Sequence, residues 1–102
     1  MTLRYTRQGA QELDDAALYY DRRTPGLGQD FLDSLQRCLD QIEKSSRLFP
    51  EIDDRQAGRE IRTDSIDRFP HVAVYEILPS ELVLLAVAHH SRRPYYWIHR
   101  HG

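Results

Sequence analysis

His71-Val72-Ala73-Val74-Tyr75-Glu76-Ile77-Leu78-Pro79-Ser80-Glu81-Leu82-Val83-Leu84-Leu85-Ala86-Val87-Ala88 is the stretch on which the fold turns. Its first part, His71 to Leu78, is rich in valine, tyrosine and isoleucine, whose branched or aromatic side chains suit a pleated, half-buried surface. Pro79-Ser80 is a turn signal. Leu82 to Ala88 is apolar without a break, which marks a central strand buried on at least one face. Two strands this close in sequence are expected to pair as an antiparallel hairpin.

Upstream, Arg59 to Asp64 supplies a further strand with Ile61 facing inward, and Asp67-Arg68-Phe69-Pro70 reads as the turn that follows it. Earlier still, the period changes. Phe31, Leu35, Cys38 and Ile42 form one helical stripe, widened by Leu32 and Leu39, with Asp40 and Lys44 at the favourable i, i+4 spacing. Ser45, Ser46 and Pro50 mark its end. Ala10, Leu13, Ala17 and Tyr20 make a second stripe, on a helix opening at Thr6 or Gln8, with Glu12, Asp14, Asp15 and Asp21 largely outside it. Thr24-Pro25-Gly26 separates the two helices, because Pro25 disfavours a helical conformation at Thr24. So short a turn predicts an αα-hairpin. Leu3 to Thr6 reads as a short strand. The order is β-α-α-β-β-β. It gives an α+β fold with an N-terminal helical hairpin on one face of a small, mainly antiparallel sheet. The 102 residues show no repeat, linker or low-complexity segment and read as a single domain, 1–102.

Cys38 is the only cysteine, so no internal disulfide can form, and its place in an amphipathic stripe predicts a buried thiol. Met1 to Arg7 lacks the apolar stretch of a signal peptide, and the apolar run Leu82 to Ala88 is too short to span a bilayer. The expected location is therefore cytoplasmic, with no membrane partner. The net charge of −2 hides an asymmetry: residues 1–54 carry 7 basic and 11 acidic side chains, and residues 55–102 carry 7 basic and 5 acidic. The overall acidity argues against broad binding to free nucleic acid but leaves room for a local basic patch.

That patch follows the last strand. No acid occurs after Glu81, and His89-His90-Ser91-Arg92-Arg93-Pro94-Tyr95-Tyr96-Trp97-Ile98-His99-Arg100 combines histidine, arginine and aromatics. Tyr, Trp and Arg dominate binding hot spots, so an acid-free cluster of all three suits an acidic or protein partner. Cleavage of RNA by its own 2′-hydroxyl would instead need proton carriers and a cation for the phosphorane. His71, His89, His90, Tyr95 or Tyr96 could move protons, and Arg62, Arg92 and Arg93 could hold phosphate. Packing roles compete with both: Tyr95, Tyr96 and Trp97 can close the core, Arg92, Arg93 and Arg100 can pair with Asp14, Asp15 or Asp21, Arg62 can anchor the tail, and His99 and His101 can be solvated. A metal is not expected. His89 and His90 would point to opposite faces of a strand, and no cysteine pair or acid–histidine helix spacing is present. No phosphate loop, nucleophile elbow or dinucleotide fingerprint appears, so no cofactor is expected.

The chain resembles the RelE/ParE toxin superfamily of type II toxin–antitoxin systems. The resemblance rests on the element order and on Ala16-Leu18-Tyr19-Tyr20, Pro25-Gly26-Leu27-Gly28 with Phe31, Arg62 ahead of Phe69-Pro70 and Val72 to Ile77, and Ala86-Val87-Ala88-His89 leading into Arg92 to Trp97 and Arg100. It implies a toxin neutralised by a cognate antitoxin, in a system of the plasmid-stabilising kind. The ParE-like branch, which is favoured here, implies a protein target such as DNA gyrase and no bond-making chemistry. The target- or antitoxin-binding residues would then be Arg62, His89, His90, Arg92, Arg93, Tyr96 and Arg100. The RelE-like branch implies ribosome-dependent mRNA cleavage, with His71, His89 or Arg92, and Tyr95 or Tyr96 in the matching positions. This sheet lacks the lysines of those ribonucleases. A family member kept as a non-toxic binding module is the third alternative.

Overall fold

The computed structural model describes residues 1–52 and 58–101. Six elements follow in order: β1 (Leu3–Tyr5), α1 (Arg7–Arg23), α2 (Leu27–Lys44), β2 (Glu60–Ser65), β3 (His71–Ile77) and β4 (Leu82–His89). They build a four-stranded sheet in the order β1-β4-β3-β2. β4 pairs antiparallel with β3, as does β2, while β1 runs parallel to β4. The α+β fold and the element order are as the sequence predicts. The one parallel pair makes the sheet mixed, a feature that three residues of β1 do not announce.

The helical hairpin forms for local reasons. Thr6 caps α1: its hydroxyl oxygen accepts from the Gly9 amide at 2.9 Å. Arg22 and Arg23 stand in the last turn, where the helix dipole favours cations. The chain then turns through Gly26 at φ 90°, a left-handed conformation that glycine adopts without penalty. α2 has no capping side chain of its own. Asp21 of α1 takes that part, accepting from the Gly26 and Gly28 amides. Gly28 is buried against α1, and a Cβ there would collide with the Ala17 carbonyl, so its lack of a side chain lets the helices approach. Along α2, Asp40 accepts from Gln36 at 2.9 Å, and no Asp40–Lys44 ion pair forms among the described residues.

Apolar side chains pack on both faces of the sheet. Toward the helices lie Phe31, Leu35, Leu39 and Ile42 with Ala73, Tyr75, Ile77, Leu82, Leu84 and Val87. On the rear face Ile61, Val74, Val83, Leu85, Ala86 and Ala88 gather around Trp97. Leu85 and Ala86 are consecutive yet lie on one face because β4 carries a bulge. Val74 pairs with Ala86 and Tyr75 with Leu84, leaving Leu85 without a partner. The extra residue turns Val87 and His89 to the helix side. Cys38 is buried, its thiol donates to Asp64 at 3.2 Å, and burial pushes its pKa up. No helix among the described residues is long and apolar enough to cross a membrane.

Candidate partner-binding site

The end of the β3–β4 hairpin opposite its turn is the centre of the candidate site. His71 and His89 are register partners there, with ring centroids 5.0 Å apart. His71 is buried between Tyr20 and Phe31, at 5.8 and 5.2 Å between centroids. Desolvation lowers its pKa to about 4, helped by the neighbouring His89 and His90, so the ring is neutral at physiological pH. His89 is exposed, and the Ser91 amide donates to its Nδ1 at 3.0 Å. That bond requires Nδ1 to be the unprotonated nitrogen, which leaves Nε2–H free to donate outward.

The bulge creates a second constellation at the edge of β4 beyond the end of β1. The Leu85 carbonyl and the Val87 amide point out of the sheet there, and side chains satisfy both. Arg100 donates to Leu85 O at 2.9 Å, and Glu12 accepts from Val87 N at 3.1 Å. Glu12 and Arg100 also pair with each other at 2.9 Å. The Tyr96 hydroxyl donates to Glu12 at 2.7 Å, and its pKa is pushed up to about 12 by burial and by that carboxylate. Glu12 thus ties α1, β4 and the tail together.

Two more arginines are engaged in the framework. Arg59, just before β2, forms a buried pair with Glu76 at 3.0 Å and donates to the carbonyls of Ile98 and Arg100. It therefore clamps the end of the tail. Arg62 pairs with Glu60 and Glu51 and donates to the carbonyls of Arg47 and Phe49, which fixes the segment after α2. The anchoring of the tail that the sequence suggested for Arg62 falls to Arg59.

Arg92 and Arg93 differ from these. Both are exposed. Arg92 lies over the Tyr96 ring at 4.0 Å, and the Arg93 guanidinium makes no hydrogen bond or ion pair among the described residues. Two clefts meet at this corner. A front cleft of about 390 Å³ is lined by Glu12, Asp15, Tyr19, Tyr20, His71 and His89 among others. A rear groove of about 370 Å³ lies over Val72, Val74 and Ala88, bordered by His90, Arg93 and Trp97. His89 and Arg92 line both.

The model of the ParE toxin of type II toxin–antitoxin systems (parDE) matches residues 3–94. The chain belongs to the ParE toxin family. Its fold is also that of a solved structure described as the chromosomal ParDE TA system from P. aeruginosa. The TM-score is 0.73 at 19% identity, over 87% of this chain and 95% of that one. No curated protein matches the sequence significantly.

In this ParE-family chain, His71, His89 and Arg92 come together at the front cleft, with Tyr96 reached through the Arg92 stack. Tyr95 stands apart on the rear side, exposed, its ring 5.8 Å from Trp97. His90 lies on the rear groove, away from His71, and its amide donates to Pro70 O at 2.9 Å. Arg62 sits on β2 among its own partners, and Arg100 lies under the tail on Glu12. Asp14, Asp15 and Asp21 receive none of the tail arginines; Glu12 receives Arg100 instead. Trp97 is buried on the rear face. Among the described residues no group of three His, Cys, Asp or Glu is placed to hold a metal. Sequence reasoning passed over Glu12, Arg59 and Glu76. Glu12 stands one residue from Leu13 at the edge of the α1 stripe, and Glu76 interrupts an apolar strand; the latter was the available signal of a buried pair.

Proposed function

We propose that the chain is the toxin of a type II toxin–antitoxin pair, acts in the cytoplasm and inhibits growth by binding a protein target such as DNA gyrase. Neutralisation falls to a cognate antitoxin, in a system that stabilises the replicon carrying it. The observation that carries this reading is the contrast between engaged and free groups at the candidate site. Tyr96 and Arg62, which a phosphodiester-cleaving site could have used, are bonded into the framework, and so is Arg100. Arg92, Arg93 and the exposed edge of His89 present cations and aromatics without an acid of the tail beside them, the composition of a protein-binding hot spot. Expression without the antitoxin is expected to arrest growth, induce DNA-damage signalling and inhibit gyrase supercoiling in extracts. Normal growth would refute a toxin and leave the non-toxic binding module. Arrest with unaffected gyrase would refute that target.

A second reading draws on the His71–His89 pair beside Arg92. A neutral buried histidine next to an exposed one and an arginine has the makings of a proton-transfer site for RNA cleavage on the ribosome. Primer extension on cellular mRNA during arrest decides between the two: codon-phased cuts support the ribonuclease, and intact mRNA supports the protein-binding toxin.

A further inference from the structure

We infer that two copies of this chain associate through the exposed face of α1, packed antiparallel about Leu18. The pairing goes beyond the toxin–antitoxin reading above and is independent of it.

The inner face of α1 packs on the core through Leu13, Ala16, Ala17 and Tyr20. Its outer face is uncovered. Asp14, Leu18 and Arg22 follow at intervals of four residues, which aligns them in one exposed row. Leu18 is 50% exposed and Tyr19 54%, and with Arg22 and Arg23 they line an open depression of about 460 Å³. A lone exposed leucine is ordinary. The charges around this one are arranged. Asp15 accepts from Gln11 at 2.9 Å, and Arg23 donates to the Tyr19 hydroxyl at 2.7 Å. Asp14 and Arg22 make no hydrogen bond or ion pair among the described residues. Two turns of helix, about 12 Å, keep them apart within one chain.

That spacing is self-complementary. In a two-fold pair one patch meets its own copy, so on antiparallel helices a residue four after the axis faces one four before it. With Leu18 on the axis, Arg22 of each copy faces Asp14 of the other. Both unpartnered charges are met, and the two leucines close the centre. Parallel helices would instead set Asp14 against Asp14 and Arg22 against Arg22, and like charges repel. One helix per copy makes a small interface, so the dimer is weak and exchanges readily. Its position has a consequence. Asp15 and Tyr19 also line the front cleft, with His71 and His89. A second copy on α1 therefore stands at the wall of that cleft and competes with a molecule that needs the same wall.

Sedimentation velocity of the purified full chain should show its mass rising from monomer toward dimer as concentration increases. Arg22→Asp and Asp14→Arg, each checked for a native melting curve, set like charges opposite each other. Each should weaken association by about tenfold at low salt and less at high salt, where exposed charges are screened. An equimolar mixture of the two variants should associate again, because an acidic row then faces a basic one. The Asp14→Arg/Arg22→Asp double variant should associate as the unmodified chain does. A second readout locates the axis. A short bis-maleimide should join Leu18→Cys into dimers and leave Gln29→Cys, exposed on α2, as monomer; the native Cys38 is buried. A chain that stays monomeric at every concentration would overturn the inference. So would a dimer indifferent to the charge swaps, or single variants that fail to associate on mixing. None of these results bears on growth arrest or antitoxin binding, so the toxin–antitoxin reading would stand in each case.

Discussion

Arg59, Arg62 and Arg100 on the one hand, and Arg92 and Arg93 on the other, look alike in the sequence and differ in their surroundings. The first three have side chains 10%, 15% and 16% exposed, and each holds a carboxylate and at least one backbone carbonyl. The other two are exposed at the corner where both clefts meet. A guanidinium has a rigid fork of five donors and suits either task, scaffold or recognition. Partners separate the two classes: a buried arginine survives only with its charge met, and an exposed one is free for another molecule.

The comparison breaks first at Arg59. Arg59→Ala leaves Glu76 buried without its cation and releases the tail carbonyls, so it should cost about 3–5 kcal/mol, the range for breaking a buried pair. Denaturant unfolding measures this, and a loss below about 1 kcal/mol, an ordinary surface value, would show that the tail does not depend on the clamp. Glu12→Ala comes next, at about 2–4 kcal/mol, because its partner retains some solvent and the Val87 amide and Tyr96 hydroxyl lose an acceptor. Stability by calorimetry should fall well below that of a control such as Gln8→Ala, on the exposed start of α1.

The histidine pair sharpens the comparison through pH. The folded-state pKa of His71, about 4, lies below the ordinary value of 6.5, so the unfolded chain binds its proton first. The stability His71 contributes is fully present above pH 6.5 and is lost as pH falls through 4, by about 3 kcal/mol in all. His71→Phe should flatten the melting temperature over that window; an unchanged slope would place the titration elsewhere. The smallest stability effect belongs to Arg93→Ala, within about 0.5 kcal/mol of the unmodified chain. Any larger loss would move Arg93 into the scaffold class.

The elements with strong periodicity were legible in the sequence. The α2 stripe Phe31-Leu35-Cys38-Ile42 is buried, and the apolar run Leu82 to Ala88 is the fully buried central strand. Pairing information was weaker. The parallel contact of β1 with β4 rests on three residues, and the bulge at Leu85 lies in a uniformly apolar run, where a shift of face leaves no mark in composition. The sequence shows where the candidate residues cluster, but not which of them are bonded into the framework and which stay exposed. Arg62 and Arg100 resemble target-binding residues until their carboxylates are known, and those lie far away in sequence for Arg100, whose partner is Glu12. Long-range ion pairs have no period, so nothing in the sequence marks Glu12 and Arg59 as the residues that hold the tail.

The most direct test of the account is an Arg92→Ala/Arg93→Ala double variant, scored in one strain for growth inhibition and in purified form for thermal unfolding. The account predicts that toxicity is lost while the melting temperature shifts by no more than a few degrees, since surface changes of this kind cost little. Full toxicity with an unchanged melting curve would contradict it, and so would a collapse of cooperative unfolding.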